Sequence, residues 1–268
     1  MSQMQLKKPP TTGGLDRFKR VYFKRLNDVH LGTQLTLRSL NELKETMRAQ
    51  PKKSPYHHFV VPSGGAAVGR IRRDPKQMAT LIEKLIVNDE CAKALLLCVS
   101  ITEDYLHNAM RMMLRAYPDR LALGPKGGAS DAPISLDDLL LKGRDEIIDE
   151  RIRQRLHRVL FARPTDYLNY LSLILQLKID AATVEKFSEA KATRDVIVHA
   201  NGRANEIYIE KAGPLARAAG GQRLEMGQPY FDACVASMKR LIGDINDSLT
   251  GKYGSDAAVL STAVRFFL

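Results

Sequence analysis

The chain has 268 residues, 44% of them hydrophobic and 26% charged, which excludes wholesale disorder and allows one full domain plus an extension, or two small domains. No apolar stretch approaches the ~18 residues needed to span a bilayer, and MSQMQLKKPP lacks the apolar core of a secretory signal, so a cytoplasmic protein without membrane contact is expected. The formal charge of +11 is uneven: residues 1–75 hold 15 Lys/Arg against 5 Asp/Glu, residues 76–268 hold 26 against 25, and such a basic segment suits an acidic partner.

Helical periodicity dominates in chain order. Leu15, Phe18, Tyr22, Leu26 and Val29 recur at steps of three and four, as do Leu37, Leu40, Leu43 and Met47, with Gly32 as a point where the run can bend. Residues 50–75 carry three internal prolines and a Gly-Gly pair, and read as a linker or irregular lobe. From Met78 to Tyr117 an apolar stripe predicts one long helix, or two joined near Asn88-Asp89. After the Gly/Pro-rich stretch 123–133, Ser135 and Asp138 resemble a capping box opening a helix with Leu139, Leu140, Ile148, Ile152, Leu156 and Val159 inward. A helix starting at Pro164-Thr165 carries Leu168, Leu171, Ile174 and Leu175, and Asp180 caps another that runs through Val184 and Phe187 to His199. Asn201-Gly202 stops it, and a last helix with Val235, Met238, Ile242, Ile245 and Leu249 ends before Gly251. Extended structure is compatible only with 196–200 and 221–226. The expected fold is an all-α bundle, with a basic helical extension and linker over 1–75, the bundle over 76–250 and a tail over 251–268.

Several chemistries lack their residues. The glycines near 64–69 and 124–128 match no nucleotide fingerprint, and no His-Glu-x-x-His or paired Cys-x-x-Cys exists, so neither a cofactor nor a metal is expected. Cys91 and Cys98 lie one helical repeat apart and read as small buried hydrophobes; His57-His58 lacks acidic company. The 17 Phe/Tyr (9 + 8) and absent Trp offer little for base stacking.

The most informative segment is KATRDVIVHANGRANEIY, 191–208. Arg194 precedes His199 by five positions at a helix end, and Asp195 lies one turn before His199, able to orient the imidazole or hold the arginine. The helix dipole favours imidazolium at His199. On an ideal helix Arg194 and His199 project about 140° apart. Asn205 and Tyr208 follow closely. Upstream, Val99, Glu103, Leu106 and Met110 share one helical face, so the Glu103 carboxylate lies on an apolar stripe and calls for a cation such as Arg194.

An arginine followed by a polar residue, three more residues and a histidine, at the end of a bundle helix and with Gly and Asn/Tyr beyond, resembles the HEPN superfamily (higher eukaryotes and prokaryotes nucleotide-binding). The resemblance spans roughly 76–250, through the helices at 95–110 and 163–180 and the segment 192–202. It implies a metal-independent endoribonuclease in which two subunits face their Arg-x4-6-His motifs into one cleft, joined by an acidic residue of an earlier helix, here Glu103. The catalytic set implied is Arg194, His199, Glu103 and Asp195, with Asn205 and Tyr208 near the substrate. Arg17, Lys19, Arg20, Lys24 and Arg25 would hold RNA backbone or dock a controlling partner. One branch of the family carries a modifiable tyrosine two positions after the histidine; Asn201 stands there, so that control does not apply.

The chemistry fits the residues. Metal-free RNA cleavage needs a base for the 2′-hydroxyl, an acid for the departing 5′-oxygen and a cation for the phosphorane. Histidine serves either proton transfer at neutral pH, and arginine presents a planar fork to phosphate oxygens. The expectation is a toxin or antiviral effector that cuts RNA as a homodimer, with a cognate inhibitor or sensor protein as a further partner. The alternatives are a non-catalytic HEPN dimerisation, adaptor or nucleotide-binding module, and a nucleic-acid-binding regulator working through 15–48.

Overall fold

A computed structural model describes residues 13–51, 55–64, 69–124, 133, 135–160 and 164–265. Helix α1 (Gly13–Ala49) leads to a small antiparallel sheet, β1 (His57–Val61) and β2 (Gly69–Arg73). Then come α2 (Pro75–Lys84), a π-helical turn (Leu85–Asp89), α3 (Glu90–Ala116) and a 3₁₀ turn (Pro118–Ala122). The remaining helices are α4 (Leu136–Leu141), α5 (Arg144–Leu160), α6 (Pro164–Leu175), α7 (Ala181–His199), α8 (Glu206–Ala212), α9 (Gln228–Tyr253) and α10 (Ala257–Arg265). The fold is all-α apart from that one sheet, and among the described residues no helix is long and apolar enough to cross a membrane.

The charge boundary near residue 75 is not a packing boundary. Leu15, Phe18, Tyr22 and Leu26 of α1 belong to the same buried cluster as α3, α7 and α9, and Phe18 and Tyr22 pack their rings on Tyr105 at 4.8 and 5.2 Å. Asp104 on α3 ties the two together: it accepts from Tyr22 Oη at 3.1 Å and from Arg25 Nη1 at 2.7 Å, and Asn108 donates to both it and Tyr22. Burial pushes the Tyr22 phenol up to about 12. Gly32 does not end α1, which runs through it for 37 residues in all, about 55 Å.

Other expectations are corrected in the same way. Residues 57–61 and 69–73 are strands rather than an irregular lobe, whereas 196–199 are helix and the 221–226 stretch contributes only an isolated bridge, Arg223 to Arg203. Ser135 caps α4 by accepting from the Asp138 amide, yet that helix ends at Lys142, and Leu139 and Leu140 face solvent. Residues 251–265 are no tail: α9 runs on to the buried Tyr253, and Val259, Leu260 and Ala263 of α10 join the core. Arg120 locks this end, donating to the Ile174 carbonyl at 2.7 Å and to Tyr253 Oη at 3.2 Å.

His107 on α3 has its Nδ1 buried with no hydrogen-bond partner among the described residues, and burial pushes its pKa down, aided by Arg111 and opposed by Asp104. With the folded value below the unfolded one, the unfolded chain binds the extra proton first. The stability contributed by neutral His107 is present above about 6.5 and lost as the pH falls. His107→Gln is expected to flatten the decline of the urea midpoint between about pH 7 and pH 5; an unchanged slope would rule His107 out as its source.

Candidate functional site

The middle of helix α7, from Phe187 to Thr193, is buried all round, because α3, α6, α8 and α9 surround it. Charged residues inside such a helix need partners, and two clusters supply them on opposite sides.

On the α3 side, Glu103 accepts from Lys191 Nζ at 2.6 Å and from Arg194 Nη2 at 2.9 Å, with the Glu103 and Lys191 side chains 15% and 8% exposed. Arg194 reaches across to Asp195 Oδ1 at 3.0 Å, and Asp195 Oδ2 accepts from Lys211 of α8 at 3.0 Å. The result is an alternating chain, Lys191–Glu103–Arg194–Asp195–Lys211, that fixes Arg194 while leaving about a quarter of its side chain exposed. Lys191 was not anticipated from the sequence; the signal was a lysine three residues before Arg194, on the face that meets Glu103.

His199 closes α7. The Ala200 and Gly202 amides both donate to the Val196 carbonyl, and Asn201 and Gly202 take positive φ values of 51° and 74°, the left-handed pair that ends a helix. His199 is exposed and makes no hydrogen bond to Arg194 or Asp195; Asp195 is engaged by Arg194 and Lys211 instead. Because α7 stays helical to its end, the imidazole projects about 140° from Arg194. One protomer therefore presents the two groups on different sides of the helix.

The other proposed contacts are scattered. Asn205 is the cap of α8, accepting from the Tyr208 amide at 2.8 Å, and Tyr208 is buried, donating to Glu189 Oε1 at 3.1 Å. Arg25 is held by Asp104 and Lys19 by Asp247 at 2.5 Å, while Arg20 bonds the Asp16 carbonyl at 3.3 Å. Arg17, Arg20, Lys24 and Arg25 are exposed along α1, and none of them is bonded to Arg194, His199 or Glu103.

The second cluster centres on Glu189, unrecognised in the sequence. Oε1 accepts from Thr193 Oγ1 at 2.7 Å, Arg217 Nε at 2.9 Å and Tyr208 Oη; Oε2 accepts from Tyr230 Oη at 2.8 Å. The Arg217 guanidinium also lies 3.4 Å from the Tyr230 ring centroid, and burial drives the Tyr230 phenol far up. A cleft of about 650 Å³ opens beside this network, with Lys186, Ser237 and Arg240 also in its lining.

Compared with known proteins, the chain matches no family model, no curated protein and no solved structure.

Proposed function

We propose that the chain is a metal-independent endoribonuclease of HEPN type, acting as a homodimer whose two motifs share one cleft. The observation that carries this reading is the contrast at the end of α7: an arginine held in place by Glu103 and Asp195, and, five residues further on, an exposed histidine with no hydrogen bond among the described residues. A fixed cation and a free imidazole are what a phosphodiester needs, and their divergence on one helix explains why two copies would be required. Val198 beside His199 and Ile207 on α8 are exposed apolar residues that a second copy would cover.

In this reading one imidazole takes the 2′-hydroxyl proton as that oxygen attacks phosphorus, and the other protonates the 5′-oxygen as its bond to phosphorus breaks. Arg194 stabilises the charge gathering on the phosphorane oxygens. The products are a 2′,3′-cyclic phosphate and a 5′-hydroxyl. Such an activity suits a cytoplasmic toxin or antiviral effector restrained by an inhibitor or sensor protein.

RNA cleavage in EDTA, with cyclic phosphate ends, is the expected result. Adding an equal amount of His199→Ala protein and allowing subunits to exchange is expected to reduce the rate to about half, since only pairs of intact protomers remain competent. An unchanged rate would rule out the shared cleft. A second reading, a non-catalytic dimerising module, is favoured by the fact that every charge in the Lys191-to-Lys211 chain is already paired. That protein would dimerise and leave RNA intact.

A further inference from the structure

The basic excess of residues 1–75 divides sharply in the structure. Along α1 five of the eight cations meet acids: Lys19 with Asp247, Arg25 with Asp104, Arg38 with Glu42, and Lys44 and Arg48 with Glu83. Residues 50–73, in contrast, contain five Lys/Arg and no Asp/Glu. Three of these, Arg70, Arg72 and Arg73, lie on β2, all exposed, and no acidic group pairs with them among the described residues. The uncompensated positive charge of this segment is therefore concentrated on the small sheet.

The register sorts these side chains by face. His58 pairs with Arg72 and Val60 with Arg70, so the four share one face of the ribbon. Tyr56 continues it, its ring 5.2 Å from the Arg72 guanidinium. This face is open to solvent: Tyr56 is 50% and Val60 70% exposed, with His58, Arg70 and Arg72 exposed beside them. Isolated two-stranded ribbons are marginal in water, and an exposed one carrying unpaired cations with an aromatic ring at its base lacks a structural purpose in the core. Alternate residues on a strand lie about 7 Å apart, so Arg70 and Arg72 can each meet a different phosphate.

We propose that this ribbon face binds a single strand of nucleic acid, with phosphates on Arg70 and Arg72 and a base against Tyr56. A single strand is favoured over a duplex because its bases are free to stack on Tyr56, whereas a duplex hides them, and the A-form major groove is too narrow for the ribbon. The inference does not rest on the ribonuclease reading.

The test is fluorescence anisotropy with a labelled 2′-O-methyl oligouridylate, which attack by a 2′-hydroxyl cannot cleave, titrated with the full chain at several salt concentrations. Arg70→Ala/Arg72→Ala is expected to weaken binding by at least about tenfold and to reduce the slope of log K against log salt by about 1.4, two phosphate contacts' worth. Tyr56→Ala is expected to weaken it at least about fivefold at every salt concentration. Arg70→Lys/Arg72→Lys retains most of the binding, and Lys93→Ala/Arg144→Ala, at two exposed cations outside the ribbon, leaves it unchanged. Circular dichroism confirms that the helices persist. Binding by the double alanine variant equal to that of the unmodified chain overturns the proposal. So does tighter, ribbon-dependent binding of duplex DNA. An unmodified chain that binds through the ribbon but cleaves no RNA would instead count against the ribonuclease alone.

Discussion

Glu189→Ala is expected to destabilise the chain by about 3–5 kcal/mol, the magnitude seen when one partner of a buried ion pair is removed. The residue is 5% exposed and is the common acceptor for Thr193, Tyr208, Arg217 and Tyr230. Its loss takes an acceptor from a guanidinium, two phenols and a hydroxyl at once. Arg217 would keep its bond to the Glu225 carbonyl at 2.7 Å, and Tyr208 its bond from the Arg217 amide at 3.0 Å, so the segment after α8 would loosen before the core does. Glu189→Gln preserves the shape but replaces one acceptor oxygen by a donor facing other donors, and should fall between. Urea midpoints of the three proteins check the order. A midpoint for Glu189→Ala equal to that of the unmodified chain would mean that the network contributes nothing. Replacing Glu189 and Arg217 together by apolar residues of similar volume should recover part of the loss, because no charge is then left buried alone.

Parts of this architecture were legible in the residues. Period-3.6 stripes placed α3, α6 and α9, α7 was placed by its ends at Asp180 and Asn201-Gly202, and the side-chain caps at Ser135 and Asp180 lie where Ser/Asp followed by the amide three residues on would put them. Glu103 was legible for an energetic reason: a carboxylate on an apolar stripe needs a cation, and Arg194 is 2.9 Å away. The β1–β2 ribbon was not, because both of its strands are largely exposed and so show no alternation of apolar and polar residues. Nor was the place of α1 in the bundle. Its cations are neutralised by Asp104 and Asp247, 79 and 228 residues away, so the local charge surplus looked like a separate basic arm. The Glu189 network escaped for a related reason: Arg217 sits in an irregular segment with no periodicity to mark it, and only the position of Glu189 among Phe187, Ala190 and Ala192 hinted at burial.

Substitutions of Arg194 and His199 should separate in stability while agreeing in activity. His199→Ala is expected to lower RNA cleavage by about 10²–10⁴-fold, the usual contribution of a positioned acid or base, and to leave the melting temperature unchanged, because the exposed imidazole makes no hydrogen bond to the rest of α7. Arg194→Ala is expected to abolish cleavage and also to destabilise the fold by about 1–3 kcal/mol. Glu103 would keep Lys191 at 2.6 Å but lose its second cation, and Asp195 would keep only Lys211. Arg194→Lys should restore little of either, since a single ammonium cannot span Glu103 and Asp195 as the planar fork does. Matched losses of activity with unmatched losses of stability are the signature of a fixed cation and a free proton carrier. If His199→Ala cleaved RNA at the full rate, the imidazole would be a solvated helix end, and Arg194 would be left as one link in an ion-pair chain between α3, α7 and α8.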